Sequence, residues 1–457
     1  MSARDSGESV AEILAGKVGA LAPQRVPASV RARAEALLID VVGLCVAARR
    51  TDYVEALLAA VDSGGPCTAI GHATTFSAEH AALINGAATH GEDFDDTFEG
   101  GPVHSSAVIV PAVLAACERF GRDGRAALVG IVAGVETLCR LSMVVPKAVH
   151  RSGFHPTSVL GAPAAALAVA ATLGLGRKQM VDALGHAGSF ASGIIEYLAE
   201  GASTKRLHPG WAAQAGLQAA RIAAQGVLGP RTVFEGTHGL FNGFARSVEG
   251  DYEVLTGDFG ERWHMDGITF KPYATGTMNQ PYIDCALRLA GRGFAAEDVA
   301  EVLCETAEGY VHRLWEPLAA KHRPPNAYVA KFSAPFNIAV AFVTGGAGLA
   351  AFTEQAAGDE RILALASKVR YVVSPDNPYP KAYTGHVRMT LKDGRVFEER
   401  QPHIRGGARE PLARAEIEAK FLGNCDYGGW PKGGSRRFLE AVPRFFDGPL
   451  DLALLRG

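Results

Sequence analysis

Val159-Leu-Gly-Ala-Pro-Ala-Ala-Ala-Leu-Ala-Val-Ala-Ala-Thr-Leu-Gly-Leu-Gly176 carries one polar side chain, Thr172. Its length reaches the roughly 18 apolar residues that mark a membrane-span candidate. Alanine and glycine dominate it, however, and Pro163 sits inside it. Small side chains let helix backbones approach closely. The stretch therefore reads as a helix buried in a protein core rather than in a bilayer, and the fold follows from what surrounds it.

On both sides the chain repeats one theme from about residue 8 to residue 250: Ala/Leu/Val-rich stretches at helical spacing, broken by Gly and Pro. Val30 to Ala48, Ala107 to Phe120, Ala126 to Leu141, Gly161 to Leu173, Lys178 to Ala187 and Ala212 to Gln225 are examples. Several of the 53 glycines fall inside these stretches. There they lower helix propensity but permit tight packing, so a mostly α fold with a large all-helical domain is expected over 8–265.

After about residue 266 the pattern changes. Ile268 to Tyr273 reads as a strand, Gln280 to Leu289 as a helix, and Val299 to Thr306 and Val369 to Val373 as strands. His386 to Arg400 alternates around Lys392-Asp-Gly-Arg395, where Asp-Gly supplies a tight hairpin turn. This predicts a smaller α+β lid domain over 266–415. Glu416 to Phe421 and Arg436 to Leu455 return to helical periodicity, so 416–457 is expected to pack back on the first domain.

A chain of 457 residues exceeds one ordinary core, which agrees with two domains. Lys+Arg is 45 against Asp+Glu 48, a net charge of -3 without long runs of either sign, which excludes a nucleic-acid or polybasic membrane surface. The seven cysteines are scattered, with no C-x-x-C pair, and read as reduced buried thiols. The polar opening, Met-Ser-Ala-Arg-Asp-Ser-Gly-Glu, holds no signal-peptide core. A cytoplasmic protein is expected.

His90-Gly-Glu-Asp-Phe-Asp-Asp-Thr97, continuing to His104, is the densest polar cluster of the first half. A charged surface loop is the bland reading. Against it, Phe94 lies among the acids, and no Lys or Arg falls nearby to neutralise them. Crowded carboxylates raise the pKa of at least one member, which suits a general base or acid. Asp93, Asp95, Asp96 and His104 are also acceptable magnesium or manganese ligands, although their spacing matches no specific metal motif.

Three further elements carry candidate chemistry. In Gly153-Phe-His-Pro-Thr-Ser158, His155 precedes the apolar helix, whose N-terminal amides can hold an anion together with Thr157 and Ser158. Ser203-Thr-Lys-Arg-Leu-His-Pro-Gly-Trp211 gathers Lys205, Arg206 and His208 immediately before another Ala-rich helix. Lys271-Pro-Tyr-Ala-Thr-Gly276 follows the first strand of the second domain. Each is weak alone, since cations and histidines are common on loops. Gly346-Ala-Gly-Leu-Ala-Ala351 fits a loose dinucleotide fingerprint but lacks the strand-helix-strand alternation that such a site needs. There is no P-loop, no H-E-x-x-H and no nucleophile elbow.

Read together and in order, Asn85-Gly-Ala-Ala-Thr-His-Gly-Glu-Asp-Phe-Asp-Asp-Thr97 with His104, Gly153-Phe-His-Pro156, Thr204-Lys-Arg-Leu-His-Pro-Gly210, Phe270-Lys-Pro-Tyr273 and Lys331-Phe-Ser333 resemble the MmgE/PrpD family. That family contains 2-methylcitrate dehydratases, cis-aconitate decarboxylases and an iminodisuccinate epimerase. The resemblance implies a homodimer that acts on a small di- or tricarboxylate without metal or organic cofactor. It also implies catalytic roles for Asp93, His104 and Lys205, with Thr97, His155, His208 and Lys271 binding substrate.

Two departures stand out. Gly276 and Phe336 occupy positions where the decarboxylase branch carries a pocket His and a Tyr. An imidazole and a phenol can protonate a carbanion or a leaving hydroxyl; their loss weakens the expectation of cis-aconitate decarboxylation and points to a substrate other than the two named acids, with dehydration of a hydroxy di- or tricarboxylate, 2-methylcitrate dehydratase-like, as the leading expectation. Epimerisation of a substituted succinate and cis-aconitate-type decarboxylation remain as alternatives. A metal-dependent hydrolase or a binding protein is the outside case.

Overall fold

A computed structural model describes residues 7–457. The first six residues, and with them most of the polar opening read above, lie outside the described residues. The chain divides into two compact units. One comprises the residues up to Gly91, Asp95–Ile268 and Arg414–Gly457; the other comprises Glu92–Phe94 and Thr269–Ala413.

The first unit is helical. Its longer elements are α1 (Val10–Gly19), α2 (Ala28–Ala48), α3 (Ala78–His90), α4 (Ser106–Phe120), α5 (Gly124–Val144), α6 (Pro156–Leu173), α7 (Arg177–Phe190) and α8 (Thr204–Ala224). A short antiparallel pair, β1 (Ser63–Thr68) and β2 (Thr75–Phe76), lies between α2 and α3. The opening stretch is α6, and it is the hub: α4, α5, α7 and α8 all pack on it. Both α5 and α6 are long and apolar enough to cross a membrane by length and composition, and 89% of the apolar 18-residue stretch of each is buried inside the protein.

Glycine explains how these helices fit. A Cβ on Gly86 of α3 would stand 2.6 Å from the Gly210 Cα of α8, so the two helices cross backbone to backbone. Similarly, a Cβ on Gly134 of α5 would stand 2.6 Å from the Ala168 Cβ of α6. Any larger residue at these crossings would push the helices apart. The Gly86–Gly210 crossing brings the C-terminal end of α3, at His90, beside the first turns of α8, which carry Lys205 and His208.

That placement differs from the sequence reading in one respect. The Ala212 to Gln225 helix was expected to start after the cationic motif, but α8 begins at Thr204 and runs through Pro209. Proline removes a helical donor, which is why it reads as a break. Burial of the following small residues, Gly210 to Ala213 except for Trp211, outweighs that loss.

In the second unit, α9 (Gln280–Ala290) and α10 (Ala334–Thr344) pack on one another beside a four-stranded sheet. Its strands are β3 (Val299–Thr306), β4 (Val369–Val373), β5 (Gly385–Leu391) and β6 (Val396–Gln401), in the spatial order β4-β3-β5-β6. β4 runs parallel to β3, with Val302 opposite Val369, while β5 is antiparallel to both β3 and β6. The expected hairpin turn is present, and Gly394 takes φ 88° in it. The expected strand Ile268 to Tyr273 is shorter, however: pairing covers Ile268–Thr269, and Phe270 instead donates its N–H to Gly406. Ile338 to Val343, which precedes the loose glycine fingerprint, lies within α10, so no strand leads into that turn.

The tail forms α11 (Arg414–Tyr427) and α12 (Lys432–Ala441), and α11 packs against α2 in the first unit. There Lys420 and Asp40 make a buried ion pair at 2.7 Å. The fold is thus mostly α, a large helical domain with a smaller α+β one. All seven cysteines are buried free thiols.

Candidate active site

The first unit gathers four histidines. His90 is the last residue of α3, and its Nδ1 lies 2.7 Å from the Asp95 Oδ2, with both side chains fully buried. The same oxygen is 3.3 Å from the His104 Nδ1. His104 is better placed to donate elsewhere: its Nδ1 is 2.7 Å from the backbone carbonyl of Asp96, and the Thr97 hydroxyl is 3.5 Å away. A carbonyl oxygen only accepts, so the His104 Nδ1 carries a hydrogen and its Nε2 is left to exchange protons.

Asp96 has another task. Its carboxylate accepts from the backbone N–H of Ser105 at 3.1 Å and of Ser106 at 3.0 Å, and from the hydroxyls of both serines. It therefore satisfies the opening amides of α4 and fixes the loop that carries His104. Burial, reinforced by the neighbouring Asp95, raises its carboxyl from the ordinary range, while the serine hydrogen bonds oppose the rise.

His155 caps α6, with its backbone N–H donating to Gly193 at 2.8 Å. Its Nδ1 lies 3.1 Å from the His208 Nδ1 in the second turn of α8. One of the two must donate and the other accept, so this pair shares one proton in its neutral state. Thr157, expected to help hold an anion, uses its hydroxyl to accept the His104 backbone N–H at 3.2 Å. Ring centroids run from His104 to His90 at 4.7 Å, His90 to His155 at 5.7 Å and His155 to His208 at 5.2 Å, a continuous imidazole wall.

Burial dominates the charge state of that wall. It lowers His90 to about 4, with Asp95 opposing and Lys205 adding to the fall. It also holds His155 well below the imidazole range, helped by His90, His208 and Lys205, and takes His208 to about 4 with help from Lys205. Burial alone would raise Asp95, but the two imidazoles outweigh it and keep this carboxylate ionised, well below the ordinary value. Near neutral pH His90, His155 and His208 are therefore uncharged imidazoles beside the half-buried ammonium of Lys205.

His90, Asp95 and His104 lie close enough for their ligand atoms to share an ion. The donor set fits a metal poorly. The His104 Nδ1 faces a carbonyl oxygen and the His90 Nδ1 faces a carboxylate, so Asp95 stands behind the two rings as their hydrogen-bond partner and not beside their Nε2 atoms as a third ligand. Asp96, with its oxygens filled by serine donors, is no better as a ligand.

In the second unit, Asp93 is buried with φ 54°, a left-handed conformation rare for a residue other than glycine. Lys271, only 1% exposed, donates to the Asp93 carbonyl at 3.0 Å and stands 4.0 Å from its carboxylate. The Tyr328 hydroxyl reaches the Asp93 Oδ2 at 3.5 Å. Lys331 donates to both the carbonyl and the carboxylate of Glu92 at 2.7 Å. Gly276 donates its N–H to the Lys331 carbonyl, and Phe336 is wholly buried beside Phe352.

Comparison with known proteins agrees with this organisation. The MmgE/PrpD N-terminal domain matches residues 12–253 and the MmgE/PrpD C-terminal domain matches residues 273–438. The chain belongs to the MmgE/PrpD family. Among its relatives, the cis-aconitate decarboxylase of Aspergillus terreus is 28% identical over 88% of this chain and 86% of that protein. The cis-aconitate decarboxylase-like protein oryM of Aspergillus oryzae is 28% identical over 88% and 87%. Human cis-aconitate decarboxylase is 29% identical over 76% of this chain and 72% of its own length.

Within this MmgE/PrpD chain, the first unit brings together His104, Thr97, His155, His208 and Lys205, whose types and positions signal chemistry in the sequence. His90 and Asp95 stand in the same motif, but residue type alone gives His90 no role and makes Asp95 a possible metal ligand. Lys331 was quoted for the resemblance without a function. Tyr328 carried no signal at all, because Ala327-Tyr-Val-Ala330 looks like any short helix.

Proposed function

We propose that this chain is a lyase that acts on a tricarboxylate of the cis-aconitate kind, breaking a bond beside a carboxylate through proton transfer at His104. The observation that carries the reading is the tie between the His104 Nδ1 and the Asp96 carbonyl, which leaves Nε2 as the exchanging atom. Relatives named as cis-aconitate decarboxylases favour loss of carbon dioxide over loss of water. In that reaction carbon dioxide leaves, the electrons of the broken C–C bond pass into the conjugated acid, and an imidazole protonated from solvent delivers a proton to carbon. Lys205 and the Thr97 hydroxyl are suited to hold the substrate carboxylates while charge builds up.

Dehydration of a hydroxy tricarboxylate, 2-methylcitrate dehydratase-like, is the second reading. It is kept open by Gly276 and Phe336, which supply no imidazole and no phenol. The same absence keeps open epimerisation of a substituted succinate, which needs only proton exchange.

A panel of cis-aconitate, 2-methylcitrate, citrate and substituted succinates, followed by NMR in heavy water, separates the three. Decarboxylation releases carbon dioxide, dehydration gives a new olefinic signal, and epimerisation exchanges the α-proton at constant composition. Asp93→Asn is the expected blank. No turnover of any panel acid would sink the proposal.

A further inference from the structure

His90 and Asp95 form the most deeply buried polar pair of the first unit's site, and the reading above gives neither a part in the reaction. Asp95 is ionised and its Oδ2 only accepts, so the His90 Nδ1 at 2.7 Å carries the hydrogen. The His90 Nε2 then presents a lone pair. It is buried and has no hydrogen-bond partner among the described residues. Buried acceptors are seldom left so unless something arrives to fill them in use. The His104 Nδ1 lies 3.3 Å from the same Asp95 oxygen, and the two rings meet edge to face at 4.7 Å. One carboxylate oxygen thus stands behind two imidazoles, on the Nδ1 side of each.

We infer that Asp95 is the positioning residue of a two-histidine proton-transfer unit: it fixes His90 as the Nδ1–H tautomer, supports the same tautomer in His104, and leaves the buried His90 Nε2 as a second proton acceptor. The inference deepens the proton-transfer reading and rests on it. In elimination or epimerisation the electrons of the C–H bond enter the enediolate and its proton goes to an imidazole Nε2; in decarboxylation the electrons of the C–C bond enter it as carbon dioxide leaves, and an Nε2 protonated from solvent gives carbon its proton. The imidazolium so formed stands against the Asp95 carboxylate, which stays ionised throughout. With a second Nε2 beside the first, the unit can hold one proton while another is delivered, as elimination or epimerisation requires. Asp96 contributes its carbonyl to His104 but, with its oxygens filled by Ser105 and Ser106, takes no part in this exchange.

Two measurements on the full chain test this. Histidine-selective nitrogen-15 NMR, without substrate and near neutral pH, should show both His90 and His104 protonated at Nδ1 and bare at Nε2. Asp95→Asn should lose that pattern for His90 while His104 keeps it through the Asp96 carbonyl. A His90 ring protonated at Nε2 in the unsubstituted protein would overturn the inference, whatever the substrate proves to be.

Kinetics on cis-aconitate, or on whichever panel acid turns over, supply the second readout. His90→Gln should lower kcat by about tenfold or more with little change in KM. Asp95→Asn should move the imidazole limb of kcat/KM, alkaline for decarboxylation and acidic for elimination or epimerisation, to lower pH by about half a unit or more, because an anion behind the imidazole is lost. Profiles superimposable on the unsubstituted enzyme would overturn it. Should Asp95→Asn fail to fold, His90→Gln and the unsubstituted tautomers still decide. Inactivity of the unsubstituted chain on every panel acid would instead count against the proposed reaction, leaving the tautomer result to stand alone.

Discussion

Lys331 Nζ lies 2.7 Å from both the carbonyl and the carboxylate of Glu92, a residue 239 positions away in the chain. One ammonium therefore closes on the backbone just ahead of Asp93, and Lys271 closes on the carbonyl of Asp93 itself. Asp93 is held at φ 54° between them. A left-handed conformation costs a residue with a Cβ about 1–2 kcal/mol. The two lysines offset that cost with charge-assisted hydrogen bonds, so the first acid of the motif is aimed by cations of its own unit.

Lys331→Met tests this directly. It removes the ammonium and leaves the Glu92 carboxylate, 18% exposed, without its partner. Breaking a largely buried pair by taking one member costs on the order of 3 kcal/mol. A urea midpoint well below that of the unsubstituted chain, with turnover reduced alongside, is expected. An unmoved midpoint would show that Glu92 needs no cation.

Tyr328→Phe isolates the phenol that the sequence did not offer. Its hydroxyl meets the Asp93 carboxylate at 3.5 Å, the long edge of hydrogen bonding. The expected loss in kcat is correspondingly modest, about three- to tenfold, with the melting temperature little changed. Should kcat hold, Tyr328 has no part in tuning Asp93.

Asp96→Ala should act on stability before it acts on chemistry. The carboxylate serves two N–H groups and two hydroxyls at the start of α4, whereas His104 is held by the Asp96 carbonyl, which survives the substitution. Loss of such a cap with several buried donors orphaned costs about 2–3 kcal/mol. Asp96→Asn, which keeps one acceptor, should recover roughly half of it. Thermal unfolding of the two variants checks the order.

Much of this was legible in the chain. Small residues at helical spacing announced α6 and its neighbours, because tight helix crossings leave no alternative use for so much buried Ala and Gly. The Asp-Gly turn between β5 and β6 was equally plain. Pro209 misled, since its cost is local and visible while the burial that overrides it is tertiary. The same holds at the site. Residue types named His104, His155, His208 and Lys205, but the direction of a hydrogen bond is not written in a sequence. Whether Asp95 serves a metal or two imidazoles, and whether Asp96 is an acid or a helix cap, depends on Ser105, Ser106 and the ring orientations. Tyr328 reaches Asp93 only through the fold of the second unit.

The imidazole wall also predicts how stability depends on pH. Burial lowers His90 from 6.5 to about 4, so between those values the unfolded chain binds a proton that the folded chain refuses. Its contribution to stability is complete above about pH 6.5 and is lost as pH falls toward 4. At 1.36 kcal/mol per unit, this is on the order of 3 kcal/mol. His155 and His208 shift in the same direction. Asp40 opposes them: burial raises it to about 6 against the pull of Lys420, so its contribution is present at low pH and lost as pH rises through that value. Asp96 and Glu136, also raised by burial, act in the same sense as Asp40. His90→Gln removes one proton from the difference between the states, and the slope of unfolding free energy against pH should fall by about 1.4 kcal/mol per unit across the acidic window. Urea titrations at several pH values between 4 and 6.5 measure that slope. A variant slope equal to that of the unsubstituted chain would mean that folded His90 accepts a proton as readily as unfolded His90, contrary to its burial.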